Sequence, residues 1–538
     1  MSSSTPAGGP LLDGPADPEH DPRASYALEP DYVRALTDRL VATTGKTTPV
    51  ESPLNGQPLA HVPQSSTADL GEAFSRARRA QKSWAATPLE ERAAMLLRLH
   101  DLVLDRQVEI CDLIGLEGGK ARKDAFLELA HVALTARYYA RTASDHLGTR
   151  RVPGLFPALT HAQVNQVPKG VVGIISPWNY PFTLALSDGL PALLAGNAVV
   201  IKPDSQTMLT ALLGAELLEA ADLPADLWQV VAGPGPEIGP PLIGGADYVC
   251  FTGSTATGKV IAAQCAERLI GCSLELGGKN PLLVLRDADI EKATEGAVRA
   301  GFSNAGQLCV STERLFVADQ VYERFVDRFV ARTEAMTLGS NLDWAVDMGP
   351  LISQAQLDTA TAHVDDAVAK GARVLTGGRH RPDLGPYFFE PTILEGVSPD
   401  MTCFGDETFG PVVSLYRFHD EADAIARANE GQYGLNAAIY SEDGRRAREI
   451  ARQIRCGTVN VNEGFGATFG SLAAPMGGMR QSGMGRRQGA EGILRYTDTQ
   501  SVATQRGLRI GPSFGLSQEQ YAKLMTVSLR VLNKIGRA

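Results

Sequence analysis

The sequence predicts an α/β protein built on mostly parallel sheets, and three observations carry the prediction. Short β-rich runs alternate with helical runs across 171–268, the texture of βαβ units. The alternation returns in the last third, around Phe316, Val374, Val412, Ile439 and Val459, which implies a second α/β domain. Chemically equipped loops follow the strands, and open sheets bind ligands at the carboxyl ends of their strands. At 538 residues the chain has room for two or three domains with separate cores.

Composition narrows the class. With 44% apolar and 21% charged residues the chain reads as a soluble globular protein. A net charge of −10 argues against a nucleic-acid partner, whose phosphates it would repel. The 7 cysteines are scattered without CxxC pairs, so neither a disulfide framework nor a metal site is expected. With no recognisable signal segment, this pattern predicts a reducing, cytoplasmic setting. The most apolar stretch, 190–201, is broken by Pro191, Gly196 and Asn197 and is too short to span a bilayer.

In chain order, residues 1–25 are rich in Ser, Pro, Gly and Asp and read as a disordered tail. Residues 67–137 are helical: Leu70, Ala73, Phe74 and Ala77 keep three- and four-residue spacing, and 96–114 repeats it. No polar constellation is expected on these helices, and His100, His131 and His146 read as solvated or core residues. Residues 151–167 suit an exposed two-stranded ribbon. Strands follow over 171–175, 198–201, 228–231 and 248–251, with helices over 182–194, 208–220 and 258–268. The stretch 464–489 is glycine-rich and reads as a mobile loop.

Six places carry chemistry. In Phe302-Ser-Asn-Ala-Gly-Gln-Leu-Cys309 a helix starting near Asp289 breaks into turn-forming residues just before a cysteine. A thiolate is a strong nucleophile, and no acidic residue precedes Cys309 within the loop to hold the thiol neutral. Read alone, Cys309 fits a buried structural cysteine better, and it is the company of the other loops that reverses this. The loop after the first strand, Ser176-Pro-Trp-Asn-Tyr-Pro181, is stiffened by two prolines and offers the amide of Asn179. Lys202 stands at the second strand exit, suited to ribose hydroxyls or phosphate. Phe251-Thr-Gly-Ser-Thr-Ala-Thr-Gly258 opens a helix whose free N–H groups favour phosphate. It matches neither GxGxxG nor a P-loop, because Val260 stands where the magnesium-binding hydroxyl belongs. Glu275 ends an apolar strand before a glycine turn, where desolvation raises a carboxyl toward the range of a general base. Glu407-Thr-Phe-Gly-Pro411 holds a further acid and an aromatic on a Gly-Pro turn.

Taken jointly, these segments and Gly434-Leu-Asn-Ala-Ala-Ile-Tyr440, in this order and at these spacings, resemble the aldehyde dehydrogenase superfamily over about residues 30–505. The resemblance implies a Rossmann-like cofactor domain over 26–149 and 170–277 and an α/β catalytic domain over 278–480. It also implies an oligomerisation hairpin from 150–169 with 490–505, leaving 506–538 as a C-terminal extension. A homodimer or homotetramer would follow. Cys309 would attack the aldehyde, with Asn179 and the Cys309 N–H holding the oxyanion, and Glu275 would activate water to hydrolyse the thioester. Ser176, Trp178, Lys202, Ser205, Gly253, Ser254, Glu407 and Phe409 would hold the cofactor, and no metal is implied.

A closer resemblance, carried by KPDS (202–205), FSNAGQLC (302–309), GSLAAPMGG (470–478) and QSGMGRR (481–487), is to the bacterial NADP-dependent succinate-semialdehyde dehydrogenases. NAD-selective relatives commonly place a glutamate where Ser205 stands, so NADP is the expected cofactor and NAD the alternative. The group's two carboxylate-binding arginines match Ser187 and Ser303 here, which leaves Ser471 and Arg480 as candidate replacements. A broad-specificity aldehyde dehydrogenase, a CoA-acylating enzyme and a non-catalytic structural protein are the other readings. Glu275 argues against the CoA-acylating reading, and intact Cys309, Glu275 and Asn179 argue against the structural one. At the C-terminus, Ser517 and Gln520 form a capping box before a basic amphipathic helix. Docking of that helix onto its own chain or a partner subunit is favoured over a membrane surface.

Overall fold

Runs of Val, Ile and Leu that bury both faces pair in parallel, and this assembles the first sheet. In the computed structural model, which describes residues 28–155, 159–507 and 510–535, that sheet has six strands. Their order is Gly483–Met484, Gly271–Glu275, Tyr248–Thr252, Val171–Ile175, Ala198–Lys202, Trp228–Val230. All neighbours are parallel except the first pair, where Gly483 lies opposite Glu275. From Val171–Ile175 the chain builds outward on one side and then on the other. The crevice at that reversal, between the loops after Val171–Ile175 and Tyr248–Thr252, is where an open sheet takes its ligand. The helices Thr67–Ala86, Leu89–Asp105, Gln107–Gly118 and Arg122–Leu147 share the core beneath this sheet.

The second sheet has seven strands in the order Arg373–Thr376, Thr392–Glu395, Val412–Phe418, Thr312–Ala318, Asn280–Val284, Asn436–Tyr440, Thr458–Val461. Only the first pair is antiparallel. It has its own core. Tyr180, Leu184, Leu308, Val310, Leu435, Phe465 and Met476 form a third, small apolar cluster, against which Cys309 packs.

Several expectations are corrected. The two-stranded ribbon read at 151–167 takes a third strand from the 490–505 stretch that the resemblance joined to it: Thr497–Gln505 pairs along all of Thr160–Pro168, which pairs on its other side with Arg150–Val152. The third strand is polar and exposed, so it carries no apolar signal. The 96–114 helical run is two helices that part at Arg106. The helix read from Gly258 starts at Thr255, because the Ser254 hydroxyl caps it by accepting from the Thr257 N–H. The 464–489 stretch is no free loop. Met476 and Arg487 exchange backbone hydrogen bonds of 2.8 and 2.7 Å, and Gly483–Met484 joins the first sheet. The C-terminal helix Gln518–Ile535 has its capping box, but it does not dock on its own chain: Leu524, Val527 and Val531 are 54, 57 and 48% exposed. Among the described residues no helix is long and apolar enough to cross a membrane. The 1–25 tail lies outside the described residues.

Candidate active site

The helix Ile290–Phe302, N-capped by Asp289, ends where Asn304, Ala305 and Gly306 all take the left-handed region, with φ of 51, 54 and 71°. Left-handed backbone costs a non-glycine residue about 1–2 kcal/mol, so the turn must be held from outside. The Asp124 carboxylate accepts from the Asn304 N–H at 2.9 Å, and the Asn304 amide donates to the carbonyls of Asn179 and Gln307, each at 3.1 Å. At Gly306 a Cβ would lie 2.1 Å from the Gly410 carbonyl oxygen, so only glycine fits. The strained turn delivers Cys309 to the floor of a cavity of about 260 Å³.

That cavity gathers most of the expected site. Trp178, Asn179, Gly253, Ser254, Glu275, Cys309, Glu407 and Phe409 all line it. Ser176 is buried one residue outside the lining, its hydroxyl without a partner among the described residues. Lys202 lines a neighbouring, more apolar slot of about 500 Å³ with Phe251, Thr257 and Ile261, and donates to the Pro203 carbonyl at 2.9 Å. Ser205 is half-buried, begins the turn Ser205–Thr207, and lines neither space. Asp204 is turned onto that turn, accepting from the Gln206 N–H at 3.0 Å.

Electrostatics set the resting state. Burial, then the Glu275 charge, pushes the Cys309 thiol up to about 12, while Arg487 pulls it down. The absence of acids near Cys309 in sequence was therefore misleading: Glu275 and Glu407 reach it through space. Glu275 is pushed up to about 7 by burial, and its Oε1 has no partner among the described residues. Gly477 makes room for that oxygen, since a Cβ there would approach it to 2.9 Å. Lys279, its neighbour in sequence, is paired with Glu313 instead. Glu407 accepts from the Gly278 N–H at 2.8 Å and is pushed up to about 8, by burial first and then Glu313. Phe409, at φ 52°, meets Trp178 edge-on at 5.5 Å and is fixed by Gln356, which donates to its carbonyl at 2.9 Å.

The Asn179 amide donates one N–H to the Gln307 carbonyl at 3.1 Å and keeps its second for the cavity. With the Cys309 N–H it offers two donors beside a thiol, and Glu275 supplies a base that titrates near neutrality. These are the requirements of covalent acyl chemistry followed by hydrolysis.

Sequence reasoning missed a buried polar stripe. Asp124, Glu128, His131 and Thr135, spaced as a core face on Arg122–Leu147, are all at most 4% exposed. Lys120 pairs with Glu128, and Glu128 accepts from the N–H groups of Phe182 and Thr183 at 3.0 and 3.1 Å, which holds the Asn179 loop. His131 is kept neutral by burial, its pKa lowered to about 3, between Ser187 and Gln488. Four polar residues at core spacing were the readable signal. Arg487 was also missed: it donates to Asp188 and Thr252 at 2.8 and 2.9 Å and is the cation acting most strongly on Glu275 and Cys309. Neither candidate for binding a far carboxylate lines the Cys309 cavity. Arg480 donates to the carbonyls of Asn429 and Gly431 on another loop, and Ser471 to that of Ala467, so both are engaged with backbone away from the cavity. Among the described residues no cluster of His, Cys, Asp or Glu could hold a metal.

Two open parallel sheets, with a cysteine and two carboxyls in the crevice of the Rossmann-like one, define a nucleotide-linked oxidoreductase. The chain belongs to the aldehyde dehydrogenase family, whose model matches residues 40–502. It is 50% identical, over 90% of this chain and 94% of the relative, to a Mycolicibacterium smegmatis protein named "putative succinate-semialdehyde dehydrogenase" of the NADP(+) type. A rice protein named mitochondrial succinate-semialdehyde dehydrogenase is 37% identical over 86% of this chain and 87% of its own. Among solved structures, succinate-semialdehyde dehydrogenase from Burkholderia pseudomallei superposes with a TM-score of 0.82 at 36% identity, covering 86% of this chain and 95% of that one. An Escherichia coli NADP-dependent enzyme gives a TM-score of 0.83 at 36% identity, with 86 and 96% covered.

Proposed function

We propose that the chain oxidises succinate semialdehyde to succinate, with NADP as hydride acceptor. The reading is carried by one observation: Cys309, Glu275 and Asn179 share the cavity that also holds Trp178, Glu407 and Phe409. The crevice fits a dinucleotide. Its apolar slot beside Lys202 suits a base and ribose, and the helix starting at Thr255 turns its N-terminus toward the space between slot and thiol. Lys202 would hold the adenosine ribose, Trp178, Gly253 and Ser254 the pyrophosphate, and Glu407 with Phe409 the nicotinamide end. When bound, NADP supplies the acceptor for a hydride.

The protein's own steps are these. Cys309, neutral at rest, passes its proton to solvent water as it attacks the aldehyde carbon, which leaves the Glu275 carboxylate free as the base for the later step. The second Asn179 N–H and the Cys309 N–H hold the oxyanion, a two-donor arrangement worth about 3–4 kcal/mol per donor in the barrier. After hydride departure Cys309 carries a thioester, and Glu275 draws a proton from the water that hydrolyses it. The reduced, cytoplasmic setting and a homodimer or homotetramer complete the proposal. The two exposed strands and the open C-terminal helix supply surface for a partner copy.

The test is a panel of aldehydes with NADP and NAD, followed by the absorbance of the reduced nicotinamide. Succinate semialdehyde with NADP should give the highest kcat/KM, and Cys309→Ala should abolish all of it. A neutral aldehyde winning by more than about tenfold, an energy of about 1.4 kcal/mol, would replace the substrate while leaving the chemistry.

A further inference from the structure

A substrate with a carboxylate at its far end calls for a cation with free donors, and the cations around Cys309 are mostly committed. Arg487 and Arg495 both bind Asp188, Lys120 binds Glu128, and Lys123 binds Asp347. Ser187 and Ser303 are taken as well, the first by His131 at 3.1 Å and the second by Asp124.

Arg299 differs. It lies in the last turn of Ile290–Phe302, with its guanidinium 5.6 Å from the ring centroid of Phe465. Phe465 belongs to the small apolar cluster against which Cys309 packs, together with Tyr180 and Leu184. Arg299 also lines a second hollow of about 450 Å³, bounded by Asp124, Phe302 and Ser303, so it stands where that hollow meets the cluster. It forms a single loose ion pair, with Glu463 at 3.8 Å, which is beyond hydrogen-bond range, and Glu463 is itself engaged by the Ala467 N–H at 2.8 Å. Among the described residues the Arg299 fork donates no hydrogen bond within the chain.

A second observation points to a ligand at the same place. Tyr180 is 3% exposed, yet its hydroxyl has no hydrogen-bond partner among the described residues. Burial, then Asp124, Glu128 and Cys309, holds that hydroxyl well above its usual pKa while Arg299 pulls it down. The hydroxyl is therefore a neutral donor in the field of both the thiol and the guanidinium. A buried orphan donor costs stability unless something polar reaches it.

We propose that Arg299, with the Tyr180 hydroxyl, binds the far carboxylate of a short semialdehyde whose carbonyl meets Cys309. The proposal rests on the reading of Cys309 as the nucleophile. The apolar wall of Leu184 and Phe465 would take the methylenes between the two ends. A planar fork matches two carboxylate oxygens, and a neighbouring neutral hydroxyl adds a third bond without competing charge.

The test compares wild type, Arg299→Gln, Arg299→Lys and Tyr180→Phe on succinate semialdehyde and butanal. Arg299→Gln should lower the ratio of kcat/KM for succinate semialdehyde over butanal by roughly ten- to a hundredfold. The loss should fall mainly on the KM for succinate semialdehyde. Arg299→Lys should restore part of the ratio, which a merely structural arginine would not do, and Tyr180→Phe should lower it less. A wild type that prefers succinate semialdehyde while Arg299→Gln keeps the same ratio overturns this proposal alone. A wild type indifferent to the carboxylate overturns it together with the substrate reading, and loss of all activity in Cys309→Ala would still leave the catalytic reading standing.

Discussion

Lys120 donates to the backbone carbonyl of Asn179 at 2.7 Å, with its ammonium 3.5 Å above the ring centroid of Tyr180. One buried cation thus fixes the peptide that carries the amide donor, and its pairing with Glu128 ties that peptide to the helix Pro181–Leu194. Lys120→Met would leave Glu128 buried without its partner, a change that costs roughly 3–5 kcal/mol. The melting temperature should fall by several degrees, and kcat should fall about tenfold or more as the donor loses its position. Calorimetry with steady-state kinetics decides it: an unaltered kcat would detach Lys120 from the Asn179 loop.

Glu275→Gln separates the two halves of the reaction. Hydride departure needs only the thiol and its donors, whereas deacylation needs a base. Rapid mixing should therefore show a burst of reduced cofactor, one equivalent per site, followed by slow turnover. Because the carboxyl is pushed up to about 7, deacylation in the wild type should climb as pH rises through that value and level off above it. The same shift has a stability cost of known sign. The folded protein holds the Glu275 proton more tightly than the unfolded chain, so stability is lost as pH rises from the ordinary 4.5 to about 7. Glu275→Gln removes that loss, and at about pH 8 it should be more stable than wild type by roughly 3 kcal/mol. Equal melting temperatures at acidic and alkaline pH would show that Glu275 is not held in this way.

The strands, the helices after them and the loops at the reversal of the first sheet were legible because each depends on a local pattern. Val171–Ile175 and Met208–Ala220 fall where the apolar periodicity places them. The supports of the site were not legible, because they are contacts between distant segments. Asp124 stabilises the turn at Asn304 across 180 residues, and Arg487 reaches Asp188 across 299. The same distance effect undid the expectation for Cys309, whose acidic neighbours lie on other loops. Thr497–Gln505 was legible only through the family resemblance, for the opposite reason: an exposed strand owes its place to backbone pairing and has no apolar alternation to display.

The C-terminal helix tests the assembly. Lys523 and Arg530 lie on one face of Gln518–Ile535, and Leu524, Val527 and Val531 lie exposed on another; the side chains of Ile535 and Arg537 lie outside the described residues. Exposed apolar residues in such a row are a cost for an isolated chain and a gain against a partner copy. Truncation after Gly515 should therefore lower the oligomer size or the melting temperature and leave vesicle binding at background. Sedimentation of the full-length protein alone with anionic vesicles would assign the helix to a membrane surface instead.

We propose that cofactor choice is made at the exit of Ala198–Lys202. Ser205 is uncharged where NAD-selective relatives commonly carry a glutamate, and Lys202 stands three residues before it at the floor of the apolar slot. Asp204 lies between the two, and a carboxylate turned inward there would repel a 2′-phosphate. Its oxygen instead accepts from the Gln206 N–H at 3.0 Å and side-chain amide at 3.3 Å, which commits the charge to the turn. Burial lowers the Lys202 pKa while Asp204 raises it, so the ammonium is less stable when unpaired than when it meets a phosphate. Ser205→Glu places a carboxylate beside this cation, where it can grip ribose hydroxyls and repel a phosphate. The ratio of kcat/KM with NADP to that with NAD should fall by roughly ten- to a hundredfold, the range of one charge-assisted contact of about 1.5–3 kcal/mol. Equilibrium binding of the two cofactors to Cys309→Ala, with and without the added Ser205→Glu change, reads the same shift without turnover. A wild type that already binds NAD more tightly than NADP would reverse the assignment.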